Sequence, residues 1–438
     1  MDFHIPASER TALKGGHNNQ NGASGHFSFD DNLNPEAEKK AGVLKWLIVR
    51  GSVICVLCVI TLLFFGVKTI WRGHDDPQQL ATATSSESES GSYRLSERHE
   101  GANFFDHYIF YEGNDSVGSG GFNTYVNQET AFQLGIVNIT HNQENTRQQK
   151  ESFVYMASTP TEEGPRQAVR LEGKRRFDHG LFIVDLRHMP AGCGVWPAFW
   201  LTDEANWPDH GEIDIVEGVN YQSVAKTALH TTEGCNMDAV VVEQVMTGAW
   251  DTAIGIPDKD DGIPDMTLRN ATDCFVYDEH QWLNQGCVAM SNDQESLGEP
   301  LNKRGGGVFV LEWDPDNKHI RSWVFSPHTN VPDNLEEAIS TASNSNPRKH
   351  VTPDPNSWPL PYGYFSIGNG TDCPASHFQS MRLVFNLAFC GSVAGNRFQM
   401  DCPKQSKEFE TCDDWVNSVP TELDEAYWKI RGVYVYER

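Results

Sequence analysis

Residues 207–220 read WPDHGEIDIVEGVN, and the acids in this stretch decide the fold class. Glu212, Asp214 and Glu217 are spaced Glu-x-Asp-x-x-Glu. On a strand, residues i and i+2 share a face, so Glu212 and Asp214 project together. The third acid falls at i+5, one place too late. A one-residue bulge near Ile215 and Val216 returns Glu217 to the same side and turns Ile213 and one of the bulged pair toward a core. The expectation is a half-buried strand with three carboxylates along its open face.

Like charges side by side are costly unless they are used or neutralised. Alone, the spacing also fits a solvated acidic face, so the neighbouring residues decide. Upstream, Trp196-Pro-Ala-Phe-Trp200 sets Trp196 and Trp200 on one face by period two, and Trp207 follows in the connecting loop. Indole rings offer broad apolar platforms for the C–H faces of sugar rings. His230, in Leu-His-Thr-Thr, lies where the next strand of a hairpin would bring it beside the acids. Acids beside such platforms suit glycoside hydrolysis. One carboxylate attacks the anomeric carbon, a carboxylic acid protonates the leaving oxygen, and retention needs the two about 5 Å apart. Asp214 between them is expected to bond the nucleophile and to raise the acid's pKa, keeping Glu217 protonated.

Short period-two runs recur across the chain. Residues 180–186 (GLFIVDL), 307–313 (GVFVLEW), 381–387 (MRLVFNL) and 432–436 (GVYVY) read as strands by length and by β-branched and aromatic content. Helical patterns are scarce, with one short candidate at 421–428. Residues 250–266 and 326–359 read as loop insertions rich in turn formers. The class is all-β, a sandwich with long loops. Across 438 residues, 34 Lys and Arg face 60 Asp and Glu, a net charge of −26. That excludes the basic footprint of a nucleic-acid partner and charge-driven docking on acidic lipid, and leaves a neutral polymer such as a glucan.

The N-terminal quarter is different. Residues 51–67 (GSVICVLCVITLLFFGV) carry no charge, and 46–49 lengthen the stretch enough to span a bilayer. Lys39, Lys40, Lys45 and Arg50 precede it, while Lys68 and Arg72 follow. The positive-inside rule keeps the N-terminus cytoplasmic. The expected organisation is a disordered tail at 1–45, a transmembrane signal-anchor helix at 46–70, a Ser/Glu-rich stalk at 71–92 and one domain at 93–438. The chain is then a single-pass type II membrane protein with its large domain lumenal or extracellular. In agreement, the sequons at Asn114, Asn138, Asn270 and Asn369 all follow the span. So do eight of the ten cysteines, which read as a disulfide framework of unassigned pairing.

The ordered set WPAFW, NWP, GEIDIVEGVN and LHT resembles glycoside hydrolase family 16, in particular its fungal laminarinase-type endo-1,3(4)-β-glucanases. The likeness extends to Asn103-Phe-Phe-Asp and the Gly121-Phe region, which resemble the family's first strands. It continues through the 178–190 run before WPAFW, then 305–313, Ser376-His-Phe, Phe389-Cys-Gly and 424–430. The resemblance implies a jelly roll of two curved antiparallel sheets with β-glucan lying across the concave face. It implies Glu212 as nucleophile, Glu217 as acid/base and Asp214 as the assisting carboxylate. Trp200 and Trp207 then line the glycone side, His230 is the cleft His and Arg170 contacts sugar, while Trp196 is a sugar platform by its strand placement alone. No cofactor and no catalytic metal are expected. The acidic run 258–265 has the look of a calcium loop with its alternation off by one, so a structural calcium there stands as the minor alternative to a solvated acidic loop.

Three departures from the family pattern bear on substrate rather than reaction type. Asp209 and His210 stand beside the nucleophile, Val393 stands where a cleft Trp is expected, and Gly121-Phe-Asn-Thr-Tyr-Val displaces an expected sugar-binding Asn. A wall-glucan transglycosylase using the same acids is one alternative. A non-catalytic carbohydrate-binding protein is another, and the intact acid triplet speaks against it.

Overall fold

The computed structural model describes residues 92–115, 118–141, 152–160, 164–253, 267–327, 331–343, 346–418 and 423–438. The expected tail, membrane span and most of the stalk lie outside them, as does the acidic run 258–265. Among the described residues no helix is long and apolar enough to cross a membrane. Residues from Ser88 to Arg438 form one compact unit.

Two eight-stranded sheets dominate, and every strand pairing within them is antiparallel. The acid-bearing sheet runs, edge to edge, through Ala249–Trp250, Cys287–Met290, Lys226–His230, Glu212–Glu217, Val195–Thr202, Arg382–Phe389, Arg170–Gly173 and Tyr108–Phe110. The opposite sheet is built on Gly180–His188, Gly307–Asp314 and Trp428–Glu437, three of the four strands expected from sequence. The fourth, Arg382–Phe389, lies in the acid-bearing sheet.

Period two explains the packing. Phe182, Val184 and Leu186 of one sheet and Phe199, Leu201, Ile213, Leu383 and Phe385 of the other belong to one buried cluster. The Phe199 and Phe385 rings stack at 4.1 Å, and Trp428 meets Phe385 edge-on at 5.5 Å. The alternate residues of the acid-bearing sheet are therefore left on its open face.

Three local expectations are corrected. Asn103–Asp106 is not strand but part of a 3-10 helix, Gly101–His107, whose Phe104 and Phe105 plug the core. Residues 423–425 are turns and Trp428 begins a strand, so no helix fills the described part of 421–428. The 326–359 insertion holds a ten-residue helix, Asp333–Ala342. Its Leu335, Ala338, Ile339 and Ala342 fall on one helical face and pack with Trp323, Trp358 and Tyr436. Three turns of period 3.6 were masked by the Ser, Asn and Pro on either side.

All eight cysteines beyond the apolar segment are paired: Cys193–Cys402, Cys235–Cys373, Cys274–Cys287 and Cys390–Cys412. Three of these bonds pin loops at the ends of the acid-bearing sheet, and Cys193–Cys402 closes a loop of 209 residues. The four sequon asparagines are exposed.

Candidate active site

The acid strand carries the expected bulge. Phe199 pairs with Val216 and Trp200 with Asp214, so Ile215 is the extra residue. Ile213, Ile215 and Val216 all enter the core. Both members of the bulged pair are therefore buried, where one was expected. Gly211 sets the entry to the strand. Its φ of +71° and the His377 carbonyl oxygen, 2.4 Å from where a Cβ would stand, admit only glycine.

Partners come from the flanking strands. Glu212 lies opposite His230 in the ladder, and Asp214 opposite Ala228. His230 Nε2 and Asp214 Oδ2 share a hydrogen bond of 3.0 Å, and both side chains are buried. From the other side, Trp196 Nε1 donates to Glu217 Oε1 at 2.8 Å. Trp196 is thus oriented by the third acid through its ring edge.

Crowding has an electrostatic consequence. Burial, and after it the charge of Asp214, pushes the Glu212 carboxyl up to about 8, partly offset by His230 and the Trp207 indole N–H. That N–H is buried and closes no hydrogen bond of good geometry. Asp214 is held well above the ordinary carboxylate range by burial and the Glu217 charge. Asp214 thus stands within the field of both glutamates. Burial and mutual repulsion push both carboxyls toward their protonated forms.

The rest of the open face continues away from the acids. Trp200 Nε1 donates to Asn386 Oδ1 at 2.8 Å, and Asn386 lies between Ala198 and Arg170 in the ladders. The Arg170 guanidinium sits 5.3 Å from the Trp200 ring and 5.5 Å from Tyr111. Arg170 Nε donates to Glu172, which also accepts from Arg382. Arg382 and Arg176 both bind Glu204, and Arg176 reaches Asp203. His210 Nδ1 bonds Asp203 Oδ2 at 2.7 Å, so this departure from the family pattern is anchored in that chain of alternating charges.

Residues outside the sequence reading also matter here. Asp115 is buried, lies within the field of Arg170 and accepts from Ser119. Sequence marked it only as the middle of a sequon. Asn123, from the displaced Gly-Phe motif, is buried, and its Oδ1 accepts from Phe389 N at 3.1 Å. It props a neighbouring strand instead of facing the cleft. A Glu-Asp-His set of Glu212, Asp214 and His230 places one ligand atom from each within 4.8 Å of the others, close enough for a divalent cation. The hydrogen bond between His230 and Asp214 accounts for two of those three atoms without one.

Val393 sits on a π-turn, Gly391–Gly395, and is 40% exposed. Asn220, three residues past Glu217, donates to the neighbouring Ala394 carbonyl at 3.1 Å, which holds the turn at the Glu217 end of the site. A Trp in place of Val393 would add a stacking surface there. Val393→Trp should lower KM for laminarin about threefold to tenfold with little change in kcat. An unchanged or higher KM would show that no sugar passes this turn.

Residues 108–436 match the family model described as XgeA-like, catalytic GH16 domain. The chain is 33% identical over 351 residues to a probable glycosidase of Schizosaccharomyces pombe, covering 79% of this chain and 70% of the relative. It spans about half the length of the probable endo-1,3(4)-β-glucanases of Aspergillus fumigatus, which it matches at 32% over 82% of its own residues. Among solved structures, Laminarinase 16A from Phanerochaete chrysosporium, with β-glucans in its donor and acceptor sites, superposes with a TM-score of 0.62. It is 28% identical over 79% of this chain and 100% of its own. An elongating family 16 β-1,3-glucosyltransferase gives the same TM-score and coverage at 30% identity.

Proposed function

Because the chain belongs to glycoside hydrolase family 16, we propose that it cleaves β-1,3- or mixed β-1,3/1,4-glucan internally and with retention, through a covalent glycosyl-enzyme. The observation that supports this most directly is the acid strand itself. Three carboxylates stand in a row on an open sheet face, the outer two flanked by tryptophans at 196 and 207.

In this reading Glu212 attacks the anomeric carbon while Glu217 protonates the departing oxygen. Asp214, whose carboxyl burial favours in its protonated form, donates toward Glu212 and steadies the nucleophile as its carboxylate when sugar displaces water. His230 orients Asp214 from the next strand. In the second half, water or a sugar hydroxyl gives its proton to Glu217 and attacks the anomeric carbon, whose bond to the Glu212 oxygen breaks and frees the carboxylate. Arg170, Trp200, Trp207 and Asn386 receive the glycone, from the strands on one side of the acids.

Transfer to a sugar is the second reading. Its support is the 30% identity to a β-1,3-glucosyltransferase, level with the likeness to a laminarinase. Incubating the protein with laminarin and with barley β-glucan separates the readings. Hydrolysis gives shorter oligosaccharides whose first anomer by proton NMR is β; transfer gives products longer than the donor. An α anomer would overturn retention, and no cleavage of either glucan would overturn the substrate class.

The domain is further proposed to face the lumen or cell exterior behind a single type II span at 46–70. Four exposed sequons and eight paired cysteines support it. In sealed microsomes the domain should resist protease and lose mass on peptide N-glycosidase treatment after lysis. Digestion without detergent, together with no loss of mass, would reverse the orientation.

A further inference from the structure

The glycone residues Arg170, Asn386 and Trp200 stand on three strands to one side of the acids. On the other side come His230 and then a loop closed by the Cys274–Cys287 disulfide. Phe275 in this loop bridges in parallel to Thr231, the residue after His230. Thr231 N donates to Cys274 O at 2.8 Å, and Val276 N donates to Thr231 O at 3.1 Å. Glu212 is opposite His230, so Phe275 stands two strand spacings from the acid strand, about 10 Å.

Alternation then sorts the loop's side chains. Val276 is fully buried, while Phe275 and Tyr277 project outward with their rings 5.7 Å apart. Tyr277 is 56% exposed and Trp282 is 59% exposed, with Leu283 beside it. Trp282 meets no other ring among the described residues. The loop is not slack. The buried Gln281 side chain donates to the Asp273 and Gly286 carbonyls at 2.7 and 3.0 Å. Asn284 N donates to Val276 O, Trp282 N to the Gln285 side chain, and Gln285 Nε2 to Thr252 O. A braced loop that holds large aromatic rings in water, two strand spacings from the acid strand, is the arrangement a sugar platform requires. Asp278 and Glu279 at its tip suit a neutral polymer and oppose an anionic one.

We propose that Phe275, Tyr277 and Trp282 form a distal aglycone platform, which holds the β-glucan chain beyond the bond being cleaved. The assignment rests on the glucan-cleaving reading above. It predicts dependence on substrate length, because a short oligosaccharide fills the central site without reaching the loop.

The test compares full-length protein with Trp282→Ala and Tyr277→Ala variants, on laminarin and on a short laminari-oligosaccharide. Retardation in native gels containing laminarin is read alongside. KM for laminarin should rise about fivefold for each variant, with kcat unchanged and the short substrate unaffected, and gel retardation should weaken in parallel. Equal kinetics on both substrates and unchanged retardation would overturn the platform. So would an equal loss on both substrates, which would mean that the loop merely supports the central site. The wild-type protein separates this from the parent reading. Laminarin-dependent retardation that Trp282→Ala weakens, without turnover, would retain the platform and sink the enzyme assignment.

Discussion

Glu212→Gln should reduce turnover of β-glucan by on the order of 10⁴-fold, since an amide cannot form the glycosyl ester. The substitution is nearly isosteric, and the same variant should be more stable than the parent under alkaline conditions. The physical cause is the raised Glu212 pKa of about 8. The folded state binds that proton more tightly than the unfolded chain. The stabilisation this provides is fully present below about 4.5, the ordinary value, and is lost as pH rises through about 8. Above pH 8 the parent carries a crowded carboxylate that Gln lacks, so the variant's Tm should exceed the parent's by a few degrees, with the gap closing toward pH 4. Melting curves across that range, beside turnover, check both halves. Substantial activity in Glu212→Gln would remove the nucleophile assignment, and a lower Tm at every pH would mean that activity was lost by unfolding.

Glu217→Gln should slow glucan cleavage by about 10²- to 10⁴-fold, the usual worth of a positioned proton donor. Its discriminating feature is leaving-group dependence. An aryl β-glucoside oligomer with an acidic phenol departs without a proton, so its glycosylation step should lose far less. Pre-steady-state release of the phenol would then remain fast while steady-state turnover stays slow, because the second half still needs a base. The amide oxygen can keep accepting from Trp196 Nε1, now 2.8 Å from Oε1, so the geometry should hold. An equal loss on glucan and on the activated glycoside would place Glu217 in structure or binding and not in proton transfer. Asp214→Asn should be milder than either variant, because it acts by orienting and tuning Glu212.

What local pattern could carry was legible. The Glu-x-Asp-x-x-Glu offset demands one extra residue, and the structure has it at Ile215. Strand periodicity placed Gly180–His188, Gly307–Asp314, Arg382–Phe389 and Trp428–Glu437 within a few residues. It failed at Asp333–Ala342, where ten helical residues are too few for their period to stand out from flanking turn formers. Phe104 and Phe105 were read as strand because burial of aromatics does not distinguish a strand from a 3-10 plug.

The chain's own residues determined the all-β class, the three acids on one face and an even set of cysteines, because each is set by side-chain alternation or by composition over a few neighbours. Tertiary structure alone decided which partners meet. Asn386 accepts from Trp200 across 186 residues of chain, and Cys193 finds Cys402 across 209. The indole N–H of Trp196 meets Glu217, 21 residues on, only once the two strands pair. Asp115 and Arg170 share a field only because separate strands converge on the same edge of the site. Strand order brings the 274–287 loop alongside Thr231, and nothing within either segment encodes the other. The raised pKa of Glu212 has the same origin. Its main cause is the loss of water as Asp214, His230 and Trp207 crowd around it on the outer face, and desolvation is a property of the packed molecule, not of any stretch of sequence.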